Sequence, residues 1–249
     1  MAIMRLSFNR TENKTKLILL SATLDVPKFV NYYKPYVNVD SITIPGRTNP
    51  IDTIYRNISL SGTKIMPKKY VESIKDVVTS LIDNKFFPNI DNIGHKDYEF
   101  GDRIGTNNTT GINDSKTGDI LVFCPTVAML DELRDHFQPL YPNIYFASLH
   151  RNTPMDIKDR VASAKYKESN EKYVRQIIFS TNIAETGITI QGIKFVIESG
   201  IYNRMTIDQE KNHRVMYLDF INQSNALQRC GRAGRLEPGI CITMYTKTE

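Results

Sequence analysis

At 249 residues, with 24% charged and 41% hydrophobic residues, the chain can bury one large core or one and a half domains, which excludes disordered and fibrous classes. No apolar run approaches the roughly 18 residues needed to cross a bilayer, and the N-terminus lacks the apolar core of a secretory signal. An intracellular protein, cytoplasmic or nuclear, with no membrane partner is therefore expected, and its net charge of +5 permits a nucleic-acid partner without demanding one.

The three cysteines, Cys124, Cys230 and Cys241, form no CxxC pair and leave an odd count, which argues against a disulfide framework or a zinc ribbon. All three are expected to be reduced. Sequons such as Asn108-Thr109-Thr110 carry no glycan in a chain that is not secreted.

In chain order, Leu17 to Leu20 is the first apolar run of strand length, and Ser21-Ala22-Thr23 follows it. Hydroxyls at the carboxyl edge of a parallel sheet face its ligand crevice, although small polar triplets are common everywhere. Residues 84–118 crowd Asn, Asp and Gly with little periodicity and predict a long, flexible surface insertion. Ile120 to Phe123 predicts the next strand. Through Cys124-Pro125-Thr126 it enters a helix over Val127 to Phe137, where Val127, Leu130, Leu133 and Phe137 recur at helical spacing. Asp131-Glu132-Leu133-Arg134 is not a metal box, since Leu133 belongs to that apolar stripe, and no metal ligands are expected.

Ile177 to Phe179 and Phe195 to Ile197 are further strands, and Ile240 to Tyr245 a final one. None alternates strictly, as befits strands buried on both faces, and the strand-helix-strand order predicts a parallel α/β sheet. Between them, Ser180-Thr181-Asn182-Ile183-Ala184-Glu185-Thr186-Gly187-Ile188-Thr189-Ile190 supplies hydroxyl, amide and backbone donors suited to phosphate oxygens. It equally suits a polar strand-to-helix turn with Thr181 as N-cap and Glu185 in the first turn. Residues 201–217 mix Tyr202, Arg204, Lys211, His213, Arg214 and Tyr217 with Met205, Ile207, Val215 and Met216. That composition suits a solvent-facing β-hairpin able to touch a nucleic-acid strand, and an ordinary polar excursion as well.

The octet Gln228-Arg229-Cys230-Gly231-Arg232-Ala233-Gly234-Arg235 is the densest chemical signal. A guanidinium stays charged and offers a rigid fork of donors, so Arg232 and Arg235, three apart, can aim from one turn at a terminal phosphate. From the arginines alone, a basic helix start on a solvated face is the competing account.

Taken in order and spacing, Ser-Ala-Thr, the Ile-Leu-Val-Phe strand, Ser-Thr-Asn-Ile-Ala-Glu-Thr-Gly-Ile-Thr-Ile and Gln-Arg-Cys-Gly-Arg-Ala-Gly-Arg resemble motifs III to VI of superfamily 2 helicases. The last two segments are similar to those of DEAH-box, or DExH, RNA helicases, and the resemblance spans about residues 16–247. It implies an α/β, RecA-like fold of the P-loop NTPase type, a parallel sheet flanked by helices with a protruding β-hairpin. Residues 1–44 would end a first RecA-like domain and 45–249 form the second, with ATP and Mg²⁺ between the two domains and RNA across the top. The resemblance places Gln228, Arg232 and Arg235 at the γ-phosphate and its attacking water, and Gly187, Thr189 and Gln191 with the arginines around the nucleotide. It places Thr181, Asn182, Thr189 and Arg204 along nucleic acid, assigns coupling of closure to strand movement to Ser21, Ala22 and Thr23, and makes 201–217 the strand-separating hairpin.

The sequence holds no Gly-Lys dipeptide, hence no GxxxxGK[ST] loop, and no Asp-Glu-x-His box. The resemblance therefore implies a fragment whose partner is a first RecA-like domain, in cis or in trans, that holds most of the Mg²⁺ ligands. Gly187 stands where the family usually has Ser, Gln191 where it has Asp, and Ala162 where an aromatic residue stacks on adenine, which implies tolerance of several nucleotides. The Asn-rich insertion and the Ile/Lys/Asn-rich composition would suit a virus-encoded chain. A non-catalytic RNA-binding or partner-binding module and a DNA helicase are the alternatives, since phosphate contacts carry no sugar identity.

Overall fold

A computed structural model of the chain describes residues 16–20, 26–42, 44, 49–56, 68–85, 98–100, 116–168, 172–208, 210 and 212–246. The chain divides into two compact units, residues 1–47 and 48–249. In the first unit, helix α1 (Val26–Tyr33) buries Tyr33. The strand expected at Leu17 to Leu20 is not formed: the segment has no regular secondary structure and no ladder partner among the described residues, and Ile18 and Leu20 are exposed. A strand needs a neighbour to satisfy its backbone groups, and the first unit offers none among its described residues. Ser21, Ala22 and Thr23 lie outside the described residues.

In the second unit the elements are β1 (Ile51–Arg56), α2 (Lys68–Ile82), β2 (Tyr98–Phe100), β3 (Asp119–Phe123), α3 (Val127–Phe137), β4 (Ile144–Leu149), α4 (Met155–Ala162) and a 3₁₀ turn at Lys165–Glu168. There follow β5 (Arg175–Ser180), α5 (Ile183–Thr186), β6 (Ile193–Glu198), β7 (Ile201–Asp208), β8 (His213–Phe220), α6 (Gln223–Cys230) and β9 (Gly239–Thr243). Seven strands form one sheet in the order β2-β1-β9-β6-β3-β5-β4, parallel throughout except for β2, which runs antiparallel to β1. The insertion expected over 84–118 therefore contributes an edge strand, β2; most of its remaining residues lie outside the described ones. Strands β7 and β8 form the separate hairpin, paired from Ile201↔Phe220 to Asp208↔His213. No helix among the described residues is long and apolar enough to cross a membrane.

The sheet is buried on both faces because its strands carry apolar side chains on both. Along β3, Ile120 and Val122 enter one core, while Leu121 and Phe123 enter the other. Helices α2 and α3 cover the first face with Tyr70, Ile74, Val77, Val78 and Leu81, and with Leu130, Leu133 and Phe137. The second face receives Val161 from α4, Ala184 from α5 and Cys230 from α6. Each fully buried Ile, Leu or Phe contributes about 1.5–3 kcal/mol, so this sandwich outweighs any single polar contact. Thr126 starts α3 where expected, its hydroxyl accepting from the Met129 N–H at 3.3 Å.

The expectation of three reduced cysteines is corrected. Cys230 at the end of α6 and Cys241 on β9 form a disulfide with Cα atoms 5.2 Å apart; Cys124 is free and buried. The pair stands 11 positions apart in sequence, but the turn after α6 brings β9 back beneath the helix, a closure that counting cannot reveal.

Candidate functional site

Helix α6 is capped by Asn222, whose side chain accepts from the Asn225 N–H at 2.8 Å, and it ends in a tight turn over 231–234. In that turn Arg232 N–H donates to the Arg229 carbonyl and Ala233 N–H to the Cys230 carbonyl, both at 3.1 Å. Gly234 is required by close approach: a β-carbon there would stand 2.6 Å from Ile51 Cγ1 and 2.8 Å from the Asn49 carbonyl oxygen.

The turn presents Arg232 half-buried and Arg235 exposed, and Gln228 precedes Arg232 by one helical turn on the same face. Arg232 Nη1 donates to the Ile188 carbonyl at 3.2 Å. Neither Arg232 nor Arg235 has an ion-pair partner among the described residues. Burial first, and the charge of Arg235 second, push the Arg232 guanidinium down to about 10. Two adjacent cations with no carboxylate in ion-pair contact among the described residues form a donor set that fits the oxygens of a phosphate. No group of three or more His, Cys, Asp or Glu that could hold a metal ion occurs among the described residues, so the described set does not fit Mg²⁺.

The 181–192 connection joins opposite edges of the sheet. It begins at the carboxyl end of β5, where Thr181 N–H donates to the Leu149 carbonyl at 3.0 Å, and ends at the amino end of β6. Thr181 and Asn182 therefore lie at the carboxyl edge, beside His150 and Arg151 at the end of β4. Thr189 is exposed next to Ile188, the residue that Arg232 grips, which groups it with the arginine turn; Gln191 follows, its N–H donating to the Ala162 carbonyl at 3.4 Å. Asn182 rather than Thr181 takes the N-cap position of α5 and makes no side-chain cap bond. Gly187 is exposed at the end of that short helix. Arg204 on β7 is ion-paired with Asp219 across the hairpin at 2.9 Å, and that hydrogen bond raises it above its ordinary range.

Arg229 belongs to a different arrangement. Only 2% exposed, its Nε donates to Glu185 Oε2 at 3.0 Å and its Nη1 to Glu198 Oε1 at 2.9 Å, with the guanidinium 4.9 Å from the Phe123 ring centroid. Glu185 also accepts from Asn225 Nδ2, and Glu198 Oε1 from the Gly200 N–H at 2.7 Å. Burial pushes the Glu198 carboxyl up and Arg229 pulls it back. Burial opposes the Arg229 charge too, yet Glu198 and Glu185 hold the guanidinium above its ordinary range. Removing one member of such a buried pair costs about 3–5 kcal/mol, because the other charge is stranded.

Sequence reasoning counted Arg229 only as part of a basic cluster and missed this triad. The sequence alone does not separate Arg229 from Arg232; the packing of α6, which buries Arg229 beside Cys230, does. An arginine at a core position demands acidic partners.

The parallel sheet with helices on both faces has the RecA-like fold. The chain belongs to the helicase conserved C-terminal domain family, which it matches over residues 106–237, just over half its length. Its relatives are DEAH/DExH-box RNA helicases. It is 29% identical over 242 residues to the mouse protein named probable ATP-dependent RNA helicase DHX34, covering 94% of this chain and 18% of that protein. It is 30% identical over 246 residues to the ATP-dependent RNA helicase HrpA of Borreliella burgdorferi, covering 97% of this chain and 24% of that one. The crystal structure of the Escherichia coli DEAH/RHA helicase HrpB has the same fold, with a TM-score of 0.62 at 19% identity, over 92% of this chain and 24% of that one. The chain thus spans about a fifth to a quarter of the length of these relatives.

Proposed function

We propose that this chain is the second motor domain of an ATP-dependent RNA helicase of the DEAH type, in which nucleotide hydrolysis drives translocation on RNA and its unwinding. The observation that carries this reading is the pairing of Arg232 and Arg235 on one turn without an ion-pair partner among the described residues, tied to the 181–192 connection through Ile188. When bound, ATP supplies the phosphoryl group whose hydrolysis powers the cycle. Arg232 and Arg235 bring positive charge to its terminal phosphate, and Gln228 orients the attacking water. Gly187, Thr189 and Gln191 line the nucleotide side. Thr181 and Asn182 meet the RNA backbone, while Arg204 reaches it only by releasing Asp219. Ser21, Ala22 and Thr23 couple closure to strand movement. A first RecA-like domain, in cis or in trans, supplies the phosphate-cradling loop and the acidic groups for Mg²⁺.

The test is RNA-stimulated ATP hydrolysis by the chain alone and after fusion to a first RecA-like domain carrying GxxxxGK[ST] and Asp-Glu-x-His. Hydrolysis confined to the fused form supports the motor reading. RNA binding without hydrolysis in either form would replace it with a non-catalytic binding module, and stimulation by DNA but not RNA would replace the substrate.

A further inference from the structure

We propose that Arg229, Glu185 and Glu198 form a positioning device that makes helix α5, the phosphate-facing turn and the root of the β7-β8 hairpin move as one body, an inference that rests on reading Arg232 and Arg235 as phosphate ligands. Each member of the triad sits on a different element, and each element leads within four residues to a group with a task. Glu185 precedes Ile188 and Thr189, the former gripped by Arg232. Arg229 precedes Arg232 on the same helix and turn. Glu198 ends β6 and leads through Ser199-Gly200 into the hairpin, where Arg229 Nη1 also donates to the Ile201 carbonyl at 3.5 Å.

The guanidinium is planar, so bonding one carboxylate through Nε and another through Nη1 fixes both acids relative to the helix that carries it. Phe123 covers the guanidinium, all three side chains are buried, and water does not stand ready to replace a partner that moves away. Displacing the turn must then drag α5 and the hairpin root with it. Glu198 Oε2 is buried without a hydrogen-bond partner, so this acid is held through Oε1 alone. That single-oxygen attachment makes the hairpin root the joint that loss of the Glu198 charge loosens first.

The experiment is native-state hydrogen exchange on the 249-residue chain in rising urea, for the wild type, Glu198→Gln and Arg229→Lys. In the wild type, the amides of Gly231, Arg232 and Ala233 and those of Gly200, Ile201 and Ile221 are expected to open together, within about twofold. Glu198→Gln keeps the shape of the side chain; loss of the buried charge lowers the melting temperature, but the amides of β3 and β5 should still open together, at the new global limit. In that variant the root amides should open roughly tenfold more often than those of the turn. Arg229→Lys, which replaces a planar fork by a point charge, should separate all three elements. Independent opening in the wild type, or continued common opening in Glu198→Gln, overturns the proposal, and a merely structural role would accelerate every amide of the sheet alike. Failure of the motor reading is seen separately: common opening in a chain whose fused form hydrolyses no ATP would leave the mechanical unit standing and remove its phosphate task.

Discussion

Gly234 and Ile51 touch so closely that the octet's second glycine is fixed by packing rather than by backbone freedom. The Asn49 N–H donates to the Gly234 carbonyl at 3.2 Å, so the turn after α6 is laid directly on the start of β1. Gly234→Ala is expected to lower unfolding free energy by about 2 kcal/mol through overpacking, measured by urea titration. An unchanged midpoint would show that Ile51 can withdraw, and that the glycine serves something else.

In the form fused to a first RecA-like domain, Arg235→Ala should reduce ATP hydrolysis by roughly 10³-fold or more while RNA affinity changes little. Arg235 is exposed on its turn, so the substitution leaves the core intact and the loss reports on charge at the phosphate. Retained turnover would take Arg235 out of the phosphate set.

The Cys230–Cys241 bond closes a short loop between α6 and β9, and removing it should cost about 3 kcal/mol by restoring freedom to the unfolded chain. Cys241→Ser should therefore melt below the wild type without reductant, and the gap should shrink once dithiothreitol is added. An equal gap in both conditions would assign the effect to packing of Cys241 alone.

Burial raises the folded-state carboxyl of Glu198 above the ordinary value of 4.5. A group raised on folding contributes stability that is complete below the unfolded value and is lost as pH climbs through the folded one. The wild type should thus lose this contribution as pH rises above 4.5, and Glu198→Gln should lack that part of the slope. Urea midpoints from pH 4.5 to neutrality for both proteins would decide it: parallel curves mean that Glu198 is ionised throughout.

Much of the sheet was legible because its central strands are apolar on both faces: β3, β5 and β6 each contain their predicted run, β9 stops at Thr243, two residues short of the predicted Tyr245, and α3 has the predicted limits. Strands β1 and β4 escaped notice because Asp52 and Thr53, and Tyr145 and Ser148, interrupt their apolar pattern near the rim of the sheet. Leu17 to Leu20 has the composition of a strand and no ladder partner among the described residues. Of the candidate site, the arginines on the turn were readable as chemistry, whereas the separation of Arg229 from Arg232 was not. Only the packing of α6 sends one into the core and leaves the other half-exposed.

The hairpin leaves β6 through Ser199-Gly200, and the chain returns at Ile221, whose N–H donates to the Gly200 carbonyl at 3.0 Å. Such a projection behaves as a lever with a narrow bearing. Eight residues of strand reach about 26 Å, so a tilt of about 5° at the root sweeps the tip through about 2 Å. A rearrangement too small to disturb the packing of the sheet is thereby magnified into a displacement of more than half the roughly 3.4 Å rise between stacked bases.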